Sequence, residues 1–346
     1  MKYKILGRTG VRISELCLGA MTFGEDWGAG IGASKEESRK MFDAFLKAGG
    51  NFIDTANLYT HGTSESFLGE FMQGQRERIV LATKYTNSFP SGDPNSSGNH
   101  RKNLVQSLDA SLRRLKTDYI DLYWVHAWDF MSSTEEVMRA LDAAVRSGKV
   151  LFVGISDAPA WVVAKANTIA ELRGWAPFVG LQIEYSLAER TCERELLPMA
   201  KDFGLTVAAW GPLNGGTLTG KYLQSKVETD ARYTTDLAKS MHKPSERKDN
   251  IVREVLRIAK ELGCTPSQVA ISWLRQTGGN IVPILGAKRL SQLEDNLASL
   301  DVKLSETQMN SLQAVSSIEM GFPHEFFDNE MARMVIYAGM RDLIEV

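Results

Sequence analysis

Short apolar runs rich in β-branched residues alternate along the chain with amphipathic stretches of helical period. The runs are Leu16–Met21, Asn51–Asp54, Ile79–Lys84, Ile120–His126, Val150–Ser156, Val179–Glu184, Thr206–Trp210 and Ile281–Leu285. Between them Leu104, Leu108, Leu112 and Leu115 recur on one helical face. Ser34, with Glu37 three residues on, has the spacing of a helix-capping box, and Thr134 is placed to cap another helix. Pro159 suits a first helical turn, and Leu290, Leu293 and Leu297 mark a last helix. Strand and helix patterns in alternation predict parallel strands joined by helices. Eight such units predict an α/β fold, a closed (β/α)8 TIM barrel rather than an open sheet.

Three segments fall outside that rhythm. Tyr3–Ile13 holds the turn LGRTG between two extended pieces and predicts a hairpin cap on one end of the barrel. Asn87–His100 and Leu213–Asp249 predict long loops at the mouth, where long loops in compact domains tend to serve function. The tail after Ser317 carries Phe322, Phe326, Phe327 and Tyr337 and is expected to pack onto something. Nothing divides the chain, so residues 1–346 are expected to form one domain.

Composition narrows the classes. The 346 residues are 43% hydrophobic and 24% charged, with a formal net charge of -2. That balance argues against nucleic-acid and membrane partners. Cys17, Cys192 and Cys264 are odd in number and far apart, which argues against a disulfide framework or a metal site. The N-terminal stretch has no continuous apolar core, and no run of 18 apolar residues occurs, so a cytoplasmic protein is expected. Oligomeric state stays open.

A parallel barrel carries its active site at the C-terminal ends of its strands. Asp54, Lys84, His126, Ser156, Asp157, Gln182 and Trp210 lie at such ends, with Tyr59 in the loop after Asp54. A free tyrosine ionises near pH ~10, and a nearby ammonium such as Lys84 is expected to lower that value. Asp54 can hold Lys84 charged, and His126 can hydrogen-bond a substrate oxygen. Each residue alone has an ordinary reading: a turn-capping aspartate, a packing tyrosine, a solvated lysine, a structural histidine. Their joint placement favours catalysis.

NFIDTANLYTHGTSESFLGEF, LATK and DLYWVHAWD together resemble the signature of the aldo-keto reductases, and the resemblance covers nearly the whole chain. Similarity of GISDAPAWVVAKAN and of VHAWDF extends it to the aryl-alcohol-dehydrogenase-like branch. It implies NADPH/NADP+ as cofactor and a small carbonyl or alcohol substrate. It also implies Tyr59 as the proton donor in reduction, tuned by Lys84 and Asp54, with His126 orienting the substrate. Ser156, Asp157 and Gln182 resemble the residues that hold the nicotinamide carboxamide, and Trp210 the aromatic stacked on that ring. Gly211, Pro212, Leu213 and Lys221 resemble the pyrophosphate site, which Arg232 is expected to join. Gly286, Ala287, Lys288, Gln292, Asp295 and Asn296 resemble the adenosine site. A helix N-terminus beside Lys288 and Arg289 suits a 2′-phosphate, which favours NADPH over NADH.

Two positions depart from the family pattern. Asp157 stands where asparagine is common, and an ionised Asp157 can accept but not donate. Ala287, followed by Lys288, replaces a small hydroxyl residue. GAGIGAS at Gly28–Ser34 approaches a dinucleotide fingerprint, yet no strand directly precedes it, so it reads as a loop over the mouth. Trp27, Phe89, Trp128 and Phe130 are the candidate pocket walls, with Phe326 and Phe327 closing over them. Aromatic lining predicts aromatic or apolar carbonyl substrates. The rival reading is an NADPH-binding regulatory subunit resembling those of potassium channels, since such relatives bind the same cofactor.

Overall fold

The computed structural model describes residues 1–28, 31–89, 91–223 and 245–345. Its strands are β1 (Tyr3–Ile5), β2 (Arg12–Ser14), β3 (Cys17–Gly19), β4 (Phe52–Asp54), β5 (Val80–Tyr85), β6 (Ile120–Val125), β7 (Val150–Ser156), β8 (Phe178–Glu184), β9 (Thr206–Trp210) and β10 (Ile281–Gly286). Strands β3 to β10 pair in parallel and in sequence, and β10 returns to β3, so the barrel is closed. The eight apolar runs are the eight barrel strands. Helices α1 (Lys35–Lys47), α2 (Thr63–Phe71), α3 (Arg101–Leu115), α4 (Thr134–Arg146), α5 (Ala160–Arg173) and α6 (Leu196–Asp202) follow successive strands. After β9 come α7 (Glu246–Leu262) and α8 (Pro266–Gln276), and after β10 come α9 (Leu290–Leu297) and α10 (Glu306–Val315). Arg232 and part of the second long loop lie outside the described residues.

Side-chain volume fills the barrel. Trp124 on β6 is 1% exposed and lies inside. A Cβ on Gly154 would sit 2.4 Å from its ring, and one on Gly180 2.8 Å. Glycine on β7 and β8 is therefore the complement of tryptophan on β6, a close-packed fit rather than a flexible hinge. A second cluster, built around Phe42, Phe45, Leu104, Leu141 and Trp273, seals helices to the outer barrel wall.

The predicted hairpin forms from β1 and β2. Gly7, at φ +55°, turns so close that a Cβ would lie 2.4 Å from the Val179 carbonyl oxygen. Its N–H donates to Thr206 Oγ1 at 2.7 Å. Val179 and Thr206 open β8 and β9, so the hairpin covers the N-terminal ends of the strands and leaves the opposite mouth open. Leu6 and Ile13, both fully buried, plug the covered end.

Helix starts differ from the sequence pattern in detail. Ser34 caps α1 by accepting from Glu37 N, but the Glu37 carboxylate turns away to accept from Leu290 N at 2.7 Å. The capping box is thus half formed, because a tertiary donor outcompetes the local one. Ser133, not Thr134, caps α4 and accepts from Glu136 N at 3.2 Å. Pro159 is the N-cap of α5 rather than a residue of its first turn. Among the described residues no helix is long and apolar enough to cross a membrane.

Candidate active site

Asp54 ends β4, Lys84 lies in β5 and His126 directly follows β6, while Tyr59 opens a short helical turn after β4. Lys84 is fully buried. Its Nζ donates to Asp54 Oδ2 at 2.5 Å, to the Thr55 carbonyl oxygen at 2.8 Å and to Tyr59 Oη at 3.2 Å. An ammonium has three donors, and each finds an oxygen. Asp54 Oδ1 accepts from Gln182 Nε2 at 2.9 Å. Gln182 thereby locks Asp54 from across the barrel, a contact between residues 128 apart in sequence.

The Tyr59 ring stands between two aromatic neighbours. His126 meets it edge-on with ring centres 5.8 Å apart, and Trp27 at 6.2 Å. His126 Nδ1 is buried with no hydrogen-bond partner among the described residues. A buried nitrogen without a partner is costly for the fold.

Burial decides the protonation states. It pushes the Tyr59 phenol above its ordinary value, and the Lys84 charge opposes without prevailing. Lys84 acts to lower Tyr59 as expected, through its charge and its hydrogen bond, but desolvation of the phenolate is the larger effect and the net shift is upward. Tyr59 stays a neutral phenol, the form that can give up a proton. Burial also acts to lower Lys84, but Asp54 and Tyr59 outweigh it and the net shift is upward. Lys84 is accordingly held as the ammonium. Burial first, and Lys84 second, depress His126 well below the usual imidazole range, so its ring is neutral.

Several positioning residues carried no sequence signal. Thr86, just beyond β5, has φ +97°, a strained conformation for a β-branched residue. There its Oγ1 accepts from His126 N at 3.3 Å and from Asn99 Nδ2 at 2.9 Å. Asn99 is fully buried, and Asp129 accepts from its N–H at 2.7 Å. This network ties the loop after β5 to the loop after β6, under His126. Thr60 and His61 also adopt left-handed backbone, and His61 stacks on Phe89 with ring centres 4.1 Å apart.

The remaining sequence candidates distribute unevenly. Ser156 and Gln182 are buried side by side on β7 and β8. Asp157 has φ +42° and accepts from Trp210 Nε1 at 3.1 Å through Oδ1. One carboxylate oxygen is thus already engaged by the neighbouring indole. Burial raises the Asp157 carboxyl, against the Trp210 hydrogen bond. Gly211, before Pro212 and Leu213, has φ +68°, and Gly216 and Gly220 also turn left-handed. A Cβ on Gly216 would lie 2.9 Å from Lys221 Nζ, so glycine there leaves room for the lysine. Gly286 ends β10, and Ala287 and Lys288 lead into α9, where Gln292 Oε1 accepts from Lys288 N at 2.9 Å. Asn296 is buried in α9. Asp295 accepts from Thr265 and Gln268, the capping pair of α8, and so braces one helix against another.

The pocket candidates also divide. Trp27 stands over Tyr59, Trp128 is buried with its N–H on the Asp157 carbonyl oxygen, and Phe130 is 68% exposed. Phe326 and Phe327 do not close over them. Among the described residues their ring contacts are with Phe322 and each other. The tail folds on itself because its aromatics are adjacent in sequence and helix. No cluster of three or more metal-ligating side chains occurs among the described residues.

The family model described as the aldo/keto reductase family matches residues 15–317. The chain is 40% identical over 326 residues to a norsolorinic acid reductase of Emericella nidulans, covering 92% of this chain and 82% of that protein. It is 38% identical over 343 residues to an aryl-alcohol dehydrogenase [NADP(+)] of Phanerodontia chrysosporium, covering 92% and 86%. A putative aryl-alcohol dehydrogenase of Saccharomyces cerevisiae is 35% identical over 342 residues, covering 96% and 91%.

Proposed function

With this chain a member of the aldo/keto reductase family, we propose that it is an NADPH-dependent oxidoreductase interconverting aromatic or apolar carbonyls and alcohols, with Tyr59 as proton donor. The observation that carries this reading is the buried Asp54–Lys84–Tyr59 chain beside a neutral His126.

The residues at the mouth fit the cofactor. The Trp210 indole, held by Asp157, offers a flat partner for a nicotinamide ring, and Ser156 and Gln182 lie beside it. The loop after β9, with left-handed backbone at Gly211 and Gly216 and the cation of Lys221, suits a pyrophosphate. Lys288 at the start of α9 suits a 2′-phosphate. An aryl-alcohol dehydrogenase relative is described as NADP(+)-dependent, which agrees with that assignment. Bound NADPH supplies the hydride.

The protein's own part is proton and charge handling. Tyr59 Oη, held protonated by burial, gives its proton to the substrate oxygen in reduction and takes it back in oxidation. Lys84 steadies the phenolate that remains, and Asp54 with Gln182 keeps Lys84 aimed at Oη. His126, held neutral by burial, positions the substrate oxygen without competing as an acid. Trp27, Phe89 and Trp128 provide apolar walls, and the name of the aryl-alcohol dehydrogenase relative fits an aromatic substrate.

The test is a panel of aldehydes, ketones and alcohols assayed with NADPH and NADH by absorbance of the reduced nicotinamide. Turnover of aryl aldehydes with NADPH, faster than with small polar sugars, is expected. Tight NADPH binding with no turnover across the panel overturns the reading.

A further inference from the structure

The turn that presents Tyr59 is strained backbone. Thr60 and His61 follow it at φ +46° and +54°, and Gly62 at +91°. Successive non-glycine residues in the left-handed region, one of them β-branched, persist only where the surroundings over-determine them. Here the surroundings are the first turn of α2. Thr60 Oγ1 donates to the Phe23 carbonyl oxygen at 2.6 Å and accepts from Ser64 N at 3.1 Å. Ser64 Oγ donates to the Ala20 carbonyl oxygen at 2.7 Å, just past β3, and pairs with Thr55 Oγ1 at 2.8 Å, just past β4.

The next residue, Glu65, reaches β5. It is fully buried. Its Oε1 accepts from Thr83 Oγ1 at 2.6 Å, and its Oε2 accepts from Arg114 Nε at 2.7 Å. Side chains alternate across a strand. Val80 and Ala82 fill the barrel interior, and Leu81 and Tyr85 join the cluster outside it. Lys84 therefore enters the mouth, while Thr83 faces α2. Arg114, in the last turn of α3, also lies against the turn itself: a Cβ on Gly62 would sit 2.9 Å from Arg114 Cδ. A carboxylate out of water is expensive, and apolar residues would pack a helix as well. Leu68 and Phe71 already do so on α2. The charge of Glu65 calls for another reason.

We propose that Glu65 is a positioning residue, which fastens the turn carrying Tyr59 to the strand carrying Lys84 and so sets their separation. The inference rests on Tyr59 as the proton donor. Lys84 is anchored by Asp54 and Thr55, and its 3.2 Å contact with Tyr59 is the longest of its three. Tyr59 rides on the turn, so that distance follows how the turn is held to β5. Before the turn, Asn57 N donates to the Lys84 carbonyl oxygen at 3.1 Å. After it, Glu65 takes the hydroxyl of Thr83. The turn is thus gripped at both ends by adjacent residues of one strand.

The test is Thr83→Val, which removes one hydroxyl and keeps the side-chain shape, beside Thr83→Ser, which keeps the hydroxyl. Misplacing a reacting group by about 1 Å costs on the order of 10²-fold. Thr83→Val should therefore lower kcat for aryl aldehyde reduction about 10–100-fold, with KM and NADPH affinity unchanged. The rise of alcohol oxidation with pH should move to higher pH, because a phenolate farther from Lys84 loses part of its support. Hydrogen exchange at Thr60–Ser64 should quicken. Thr83→Ser should restore all three. A lower thermal midpoint with parental kcat and pH profile, or a loss that Thr83→Ser does not restore, overturns the proposal. Tyr59→Phe, measured alongside, separates the two readings. If it turns over like the parent, the proton-donor assignment falls and takes the role of Glu65 with it. If it is inactive while Thr83→Val is not, only the role of Glu65 falls.

Discussion

The barrel mouth and the C-terminal tail solve opposite problems. At the mouth the chain buries charge: Lys84 and Asp54 are out of water and every ammonium proton has an acceptor. In the tail it exposes apolar surface, with Val335 at 71% and Leu343 at 75%. Neither arrangement is cheap. A satisfied buried charge is fixed in place and can tune a neighbour, whereas exposed apolar side chains fix no neighbour.

The largest effect is expected from breaking the buried pair. Lys84→Met leaves the Asp54 carboxylate buried without its cation, which costs about 3–5 kcal/mol. Chemical denaturation should show that loss, and turnover should vanish with it. Tyr59→Phe is the sharper cut, since it removes only the proton. Turnover should fall about 10²–10⁴-fold while NADPH binding, followed by nicotinamide fluorescence, is preserved. Unchanged turnover would remove Tyr59 from the mechanism.

Lys288→Ala tests the far end of the mouth. Loss of one charge-assisted contact should weaken NADPH about tenfold or more and leave NADH almost unaffected. An equal loss for both would show that Lys288 does not read the 2′-phosphate. The next effect is on pH dependence. His126 is depressed in the folded state, so as pH falls through ~6.5 the unfolded chain takes up a proton that the folded chain refuses. Stability should therefore drop below that pH by up to one proton's slope, and His126→Gln should flatten the drop. The smallest effect belongs to the tail. Val335→Ser should move the melting free energy of the protein by less than about 0.5 kcal/mol, because no core is lost.

Much of the mouth was legible because barrel topology turns strand ends into neighbours. Asp54, Lys84 and His126 follow apolar runs, so placing the strands placed the residues. The Asp54–Gln182 contact was hidden, because it spans the barrel between strands far apart in sequence. Thr86 and Asn99 were hidden for another reason: a strained φ and a buried amide leave no periodic trace. The shift from Thr134 to Ser133 as the α4 cap shows that two adjacent hydroxyls cannot be ranked by pattern. Glu37 shows the same limit, since its true partner is Leu290 N on a distant helix.

By itself the sequence determined the strand–helix alternation, the closed barrel and the acidic, phenolic, cationic and imidazole groups at its mouth. The alternation follows from local period and chain order. Closure and the roles of the groups leaned on the whole-chain resemblance, because an open sheet has the same alternation. The β10–β3 pairing shows the closure. Only the tertiary structure decided that Tyr59 is held above its ordinary pKa rather than below it. It also turned Asp157 toward Trp210 and left the tail aromatics uncovered. Each of these depends on how much water remains around a group, and that is set by segments arriving from elsewhere in the chain.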